Sequence, residues 1–219
     1  MNNKNEILND LIKAIHNYYP IEQAILNEEF EGYKVLQKLI DTKIHGLTNG
    51  QLPKECYALV KEIESFFVNC PINVHFYTNF PSYSIGIELA NDTSDYTRRT
   101  SWLNVSISLL TNYFTVFFEE RNLFNGFKEQ NNKNMPILFR ILSSKNHNID
   151  TENIFVEKIK DIVATLFTEY KYINHRLLFN YKLPNGIPIG FFDPIPNFYP
   201  IYAFLFDNWM DLPTTVIIE

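Results

Sequence analysis

The residues with the clearest chemical potential lie between positions 72 and 121, where apolar and polar side chains alternate with a period of two. Such alternation predicts antiparallel strands with one oily and one hydrophilic face. A two-residue turn at Thr111-Asn112 sets Leu109 opposite Phe114, Ile107 opposite Val116 and Val105 opposite Phe118. Carried across the loop NDTSDYTRRT, the same rule sets Leu89 against Leu103 and Ile87 against Val105, and a turn at Thr78 to Pro81 pairs Phe76 with Tyr83. On the other face Glu88, Asn104 and Glu119 then form one transverse row. With strands about 4.8 Å apart, the two glutamates stand roughly 10 Å apart at their Cα atoms, a separation at which carboxyls can flank a ligand, as in an inverting glycosidase. His75 falls in a nearby row with Ser84 and Ser108, a pairing that resembles a hydrolase base and nucleophile. Those serines are expected in mid-strand rather than on a strained elbow, and GxSxG is absent from the sequence. A solvated or partner-binding face is therefore the expected role of these rows. Catalysis through Glu88, Glu119 and His75 is the alternative. Trp102 opposite Arg121 predicts a cation–π contact at the sheet margin.

Other chemistries lack their residues. The five histidines never occur as HxH or HExxH and stand beside no CxxC, so no metal site is expected. With only 7 glycines the chain holds neither GxGxxG nor GxxxxGK[ST], and no cofactor is implied. A net charge of −6 opposes nucleic-acid binding and favours a basic protein partner. Cys56 and Cys70 fall on or just beyond one predicted helix, about 20 Å apart at 1.5 Å per residue, so both are expected as free thiols. The opening MNNKNEILNDLIK lacks the apolar stretch of a secretory signal, and no apolar run approaches the roughly 20 residues that cross a bilayer. The expected location is the cytoplasm.

The elements that position these residues read as one α+β domain over 1–219, helical in 1–70, with a sheet, a long helix and C-terminal strands in 71–219. Helices are expected before Tyr19-Pro20, over about Ile21 to Ile44 with Gly46 as the C-terminal glycine, and from Pro53 to Pro71. The sheet is an antiparallel meander of four to six strands, covered by helices on its oily face. MPILFRILSS supplies a fifth strand, and a fourth helix opens at Asp150 or Thr151, with His175-Arg176 near its end. Residues 184–200 read as an ordered irregular loop, followed by short strands at Ile201 to Phe206 and Thr214 to Ile218. Acidic residues outnumber basic ones before residue 71 and after residue 149.

A small acidic α+β chain with exposed acids beside aromatics and no catalytic motif resembles the immunity proteins with which bacteria neutralise toxins from competing cells. The resemblance is one of general character over the whole chain, and it implies a non-enzymatic protein that binds a cognate, basic toxin. The candidate partner-binding residues are Asp92, Asp95, Phe191, Phe192, Trp209 and Asp211. A small hydrolase, or an accessory subunit of a larger assembly, are the rival readings.

Overall fold

The computed structural model describes residues 2–21, 27–78, 81–124, 137–144, 150–190, 198–207 and 215–218. Helix α1 (Asn2–Tyr18) places Leu11 and Ile15 in the core, and its 3.6-residue repeat adds Ile7, Leu8 and Ile12 to the same face. A 3-10 turn at Asn27–Glu29 leads into α2 (Glu31–Thr48). That helix starts later and ends later than the sequence suggests. Gly46 lies inside it, and Gly50, at φ 71°, takes the left-handed position beyond its end. Gln51 N donates to Gly46 O at 2.7 Å and Gly50 N to Leu47 O at 3.0 Å, the paired bonds that close a helix on a glycine. Helix α3 (Lys54–Phe66) follows Pro53, as the sequence predicts.

Strands β1 (Ile72–Val74), β2 (Ser82–Thr93), β3 (Thr97–Ser108), β4 (Tyr113–Phe124) and β5 (Ile137–Ser143) form the expected antiparallel meander. After α4 (Asp150–Leu166), β6 (Lys171–Tyr172) pairs parallel to β4, and β9 (Thr215–Ile217) pairs parallel to β5. Between them come α5 (His175–Asn180), the strand pair β7 (Lys182–Pro184) and β8 (Phe198–Pro200), and α6 (Ile201–Leu205). The protein is thus α+β, with a mostly antiparallel sheet and a helical N-terminal part.

Two of the predicted registers are displaced by two residues: Ile107 pairs with Phe114, Val105 with both Val116 and Ile85, and Leu103 with Ile87. The predicted β1–β2 register holds, with Val74 opposite Ile85. A shift of two leaves every side chain on its face. The oily face accordingly packs as expected: Ile85, Ile87, Val105, Val116 and Phe118 meet Leu59 and Ile63 of α3 and Ile159 and Val163 of α4.

The other face is covered as well, against the expectation of helices on one side only. Ser82, Ser84, Ser106 and Ser108 form a buried polar seam at the middle of the sheet. The run Ile201 to Phe206, expected as a strand, is the short helix α6 that lies on this seam. A continuous apolar run carries no period that separates helix from strand. Its last carbonyls would be orphaned in the interior, and the serines supply their donors: Ser108 Oγ to Leu205 O at 2.9 Å and Ser82 Oγ to Phe206 O at 2.6 Å. Ser106 Oγ shares a hydrogen bond with Tyr202 Oη at 3.2 Å. Around α6 a second core gathers Leu11 and Ile15 of α1, Leu36 and Ile40 of α2, and Leu178 and Phe179 of α5. His175, expected near the end of the fourth helix, instead opens α5 and stacks on Phe117 in this core. Cys56 and Cys70 are free thiols, as expected.

Replacing Ser108 by Ala leaves Leu205 O and Leu110 N without this hydroxyl; unfolding in urea is expected to lose about 1–3 kcal/mol. Burial holds the His175 imidazole down to about 4, the nearby carbonyls of Ile218 and Leu142 opposing that shift and Arg176 adding to it. The unfolded chain therefore binds a proton at this residue between about pH 6.5 and 4 that the folded chain refuses. Stability is expected to be full above that window and to decline as pH falls through it. Urea midpoints measured across the window for His175→Phe should lose that part of the slope.

Candidate functional site

The candidate residues sit on the upper half of the second face, towards the β2–β3 turn. Glu88, Trp102, Glu119 and Leu142 form one transverse row, in which the register shift puts Trp102, not Asn104, between the glutamates. The next row towards the turn is Asn91, Thr100, Arg121 and Arg140. Leu89 is an extra residue in β2, a bulge that reverses the alternation beyond it. Because of that bulge Asp92 faces Arg99, opposite charge to opposite charge, and Asn91 turns back to donate to Glu88 Oε1 at 2.8 Å.

Glu119 is 1% exposed and both its carboxylate oxygens accept hydrogen bonds. Oε1 accepts from Arg121 Nε at 2.8 Å and lies 3.5 Å from Arg140 Nε; Oε2 accepts from Arg121 Nη2 at 2.9 Å and Asn104 Nδ2 at 3.0 Å. Three of the about four lone-pair positions of the carboxylate thus accept hydrogen bonds, and the Arg140 guanidinium adds an ion pair. The forked bond to Arg121 also sets the guanidinium 4.9 Å from the centroid of the Trp102 ring, the cation–π contact expected from sequence, although Arg121 pairs across the strands with Thr100. Trp102 Nε1 donates to Thr100 Oγ1 at 3.0 Å, so the indole is held at both ends. A Cβ on Gly86 would stand 3.3 Å from this ring, so the bare backbone there gives Trp102 its room.

Below the cluster a narrow cleft runs along Asn104, Glu119 and Arg121 to His75, Tyr202 and Asp207. Its empty space, mouth included, is about 360 Å³, and its interior admits about one water molecule. His75 lines it beside Ser84, as the predicted row implied, with His75 N donating to Ser84 O at 2.8 Å. Burial, aided by the Arg121 charge, lowers the His75 pKa, which favours the neutral imidazole. The Ser84 hydroxyl contacts Ser82 Oγ at 2.9 Å and Ser106 Oγ at 3.1 Å. Among the described residues no group of three or more His, Cys, Asp or Glu side chains is placed to hold a metal ion.

Sequence reasoning missed Arg140, Tyr202, Asp207 and Lys43. Arg140 had a signal, a lone cation inside the apolar strand ILFRILS; the others depend on α6 lying on the sheet. Lys43 is buried on α2, donates to Ser82 O at 2.6 Å, and is brought down to about 8 by burial, with nearby Cys56 and Asp207 opposing the shift.

Of the candidate partner-binding residues, Asp92 and Asp95 are exposed on a β2–β3 ribbon, which is exposed from Ala90 to Arg99. Ser94 and Thr97 close its turn, Ser94 N donating to Thr97 O at 2.8 Å, and Tyr96 between them is 74% exposed. On its oily-face side Arg99 Nη2 pairs with Glu120 Oε2 at 2.6 Å. Burial acts to raise the Glu120 pKa, but hydrogen bonds from Asn122 and Arg99 outweigh it and the net shift is downward. Phe191, Phe192, Trp209 and Asp211 lie outside the described residues. Compared with protein-family models, curated proteins and solved structures, the chain finds no match. No described helix is long and apolar enough to cross a membrane.

Glu119→Gln keeps the shape but removes the charge that faces Arg121 and Arg140. The expected cost is roughly 3–5 kcal/mol in urea unfolding, because the guanidinium groups remain in the interior. Glu88→Gln, at a half-buried site hydrogen-bonded only by Asn91 among the described contacts, is expected to cost under about 1 kcal/mol in the same assay.

Proposed function

We propose that the protein is a non-enzymatic binding protein, an immunity protein that neutralises a toxin by docking against it in the cytoplasm. The observation that carries this reading is the exposed ribbon from Ala90 to Arg99, rooted on a buried ion cluster. Its base is fixed by Glu119, Arg121, Arg140 and Trp102, so little further order is lost when a partner is engaged. Its tip presents Tyr96, a side chain type that anchors interfaces at low entropic cost, next to Asp95 in the turn, with Asp92 exposed on the adjoining strand. The overall charge of −6 steers a basic partner towards the molecule.

The rival reading, a hydrolase using Glu88 and Glu119 with His75, draws less support. A general acid or base needs a free position on its carboxyl and room for a substrate. Glu119 already accepts three hydrogen bonds and is 1% exposed, and the cleft beside it is water-sized.

The test is coexpression with the product of the adjacent gene. The protein should restore growth when that product is toxic and should copurify with it. Tyr96→Ala combined with Asp92→Lys and Asp95→Lys, all at exposed positions, should weaken the complex roughly thirtyfold or more, about 2 kcal/mol, with the urea midpoint unchanged. A protein that binds and protects equally well with the altered ribbon contradicts the assigned surface; one that neither binds nor protects contradicts the function.

A further inference from the structure

A second cleft, unrelated to the ribbon, lies between the first turns of α1 and the segment from β6 through α5. Its cavity volume is about 470 Å³, within the roughly 300–1,000 Å³ typical of small-molecule sites. Ile7 and Leu177 give it apolar wall, and Tyr172 and Tyr181 bring two phenol rings to it. The charged side chains that line it are Lys4 and Arg176, both cations.

That sign is notable in a chain of net charge −6. The acids of the same helix, Glu6 and Asp10, do not line the cleft. Behind the wall Lys160 Nζ lies 4.1 Å from the centroid of the Tyr172 ring and is paired with Glu157 Oε1 at 2.6 Å, so this pair adds no net charge and Lys4 and Arg176 set the sign of the cleft. Lys4 Nζ stands over one face of the Tyr181 ring, 5.9 Å from its centroid, which leaves the opposite face of the ring for stacking. Asn174 is committed to structure, its Oδ1 accepting from Arg176 N at 2.9 Å and its Nδ2 reaching Ser144 Oγ at 3.3 Å. Asn180, exposed at the rim, presents an amide with both donor and acceptor capacity.

An anion fits the charge, a planar ring fits the phenols, and an amide at the rim matches the polar edge of a base. We propose that this cleft binds a nucleoside monophosphate, with Lys4 and Arg176 receiving the phosphate and Tyr181 carrying the base. Recognition is by side chains, which is consistent with a sequence that lacks glycine-rich phosphate loops.

Calorimetric titration of the full chain with AMP, GMP, CMP and UMP tests the assignment, with inorganic phosphate and the free nucleosides as separate arms. At least one nucleotide should bind saturably, and its phosphate and nucleoside parts alone should each bind at least about tenfold more weakly. Lys4→Glu, at an exposed position, should lower that affinity about tenfold or more with the unfolding midpoint unchanged, and Lys4→Arg should keep it. Arg176→Glu and Tyr181→Ala should each weaken it too. The proposal is overturned if none of the four binds at millimolar concentration, or if binding ignores the charge reversal at Lys4. Phosphate alone binding as tightly as the nucleotide overturns it in favour of a bare anion site, and nucleoside alone doing so removes the role of the cations.

Discussion

A polar sheet face is buried at low cost only where its hydroxyls, carbonyls and charges find partners, since each one left unpaired, as the Thr115 hydroxyl is here, costs about 1–3 kcal/mol, and more when charged. That constraint organises the second face of this sheet. Its lower half meets the exposed end of α6, where the serine hydroxyls are the donors that the last helical carbonyls lack. Its upper half carries the Glu119 carboxylate, hydrogen-bonded by Arg121 and ion-paired with Arg140. Neither half tolerates loss of a member as easily as an oily face tolerates loss of a methyl group. The face is therefore selective about what lies on it, and α6 matches it carbonyl for hydroxyl.

The two faces were not equally legible in the sequence. The oily one could be read because burial of Ile85, Val105 and Val116 imposes a period of two that survives an error in register. The error itself arose at the β3–β4 turn. A two-residue hairpin turn favours glycine or asparagine at left-handed positions, and Thr111-Asn112 offers only one such residue. The chain takes four residues, Leu109 to Asn112, to reverse, and the partners move by two. The bulge at Leu89 had no comparable signal, yet it decides which charges meet on the ribbon.

The second face was misread for a physical reason. Serines and a glutamate in alternation look the same whether water or a helix covers them, and the covering element was hidden in IYAFLF, a run too uniformly apolar to show a period. Glu119 was thus legible as a residue of interest, but its role was not. With Arg140 absent from the reading, the pair Glu88 and Glu119 suggested two carboxyls across a ligand. With Arg140 present the same row becomes a clamp: Glu119 is occupied from below by Asn104 and from above by Arg121 and Arg140. Only the cation–π contact of Arg121 on Trp102 was foreseen in kind, because a diagonal neighbour two residues away reaches the same ring as a direct one.

Strand β4 links the two surfaces to which functions are assigned, and its length keeps them apart. Its first residues pair with β6, at the wall of the α1–α5 cleft, and its last residues pair with β3 along the ribbon as far as Thr97 at the turn. The nine steps from Phe114 to Leu123 span roughly 30 Å at about 3.4 Å per residue. Coupling over such a distance requires an element with two discrete arrangements that both sites bias. Here the intervening strand is hydrogen-bonded to β3 throughout and to β5 from Phe118 on, and is packed on both faces, so it offers one arrangement. A ligand in the cleft and a partner on the ribbon are then independent events on one rigid support, and a residue that affects both must act through the stability of the sheet itself. Glu119 is such a residue, because its loss removes the buried carboxylate that Arg121 and Arg140 face at the centre of that support.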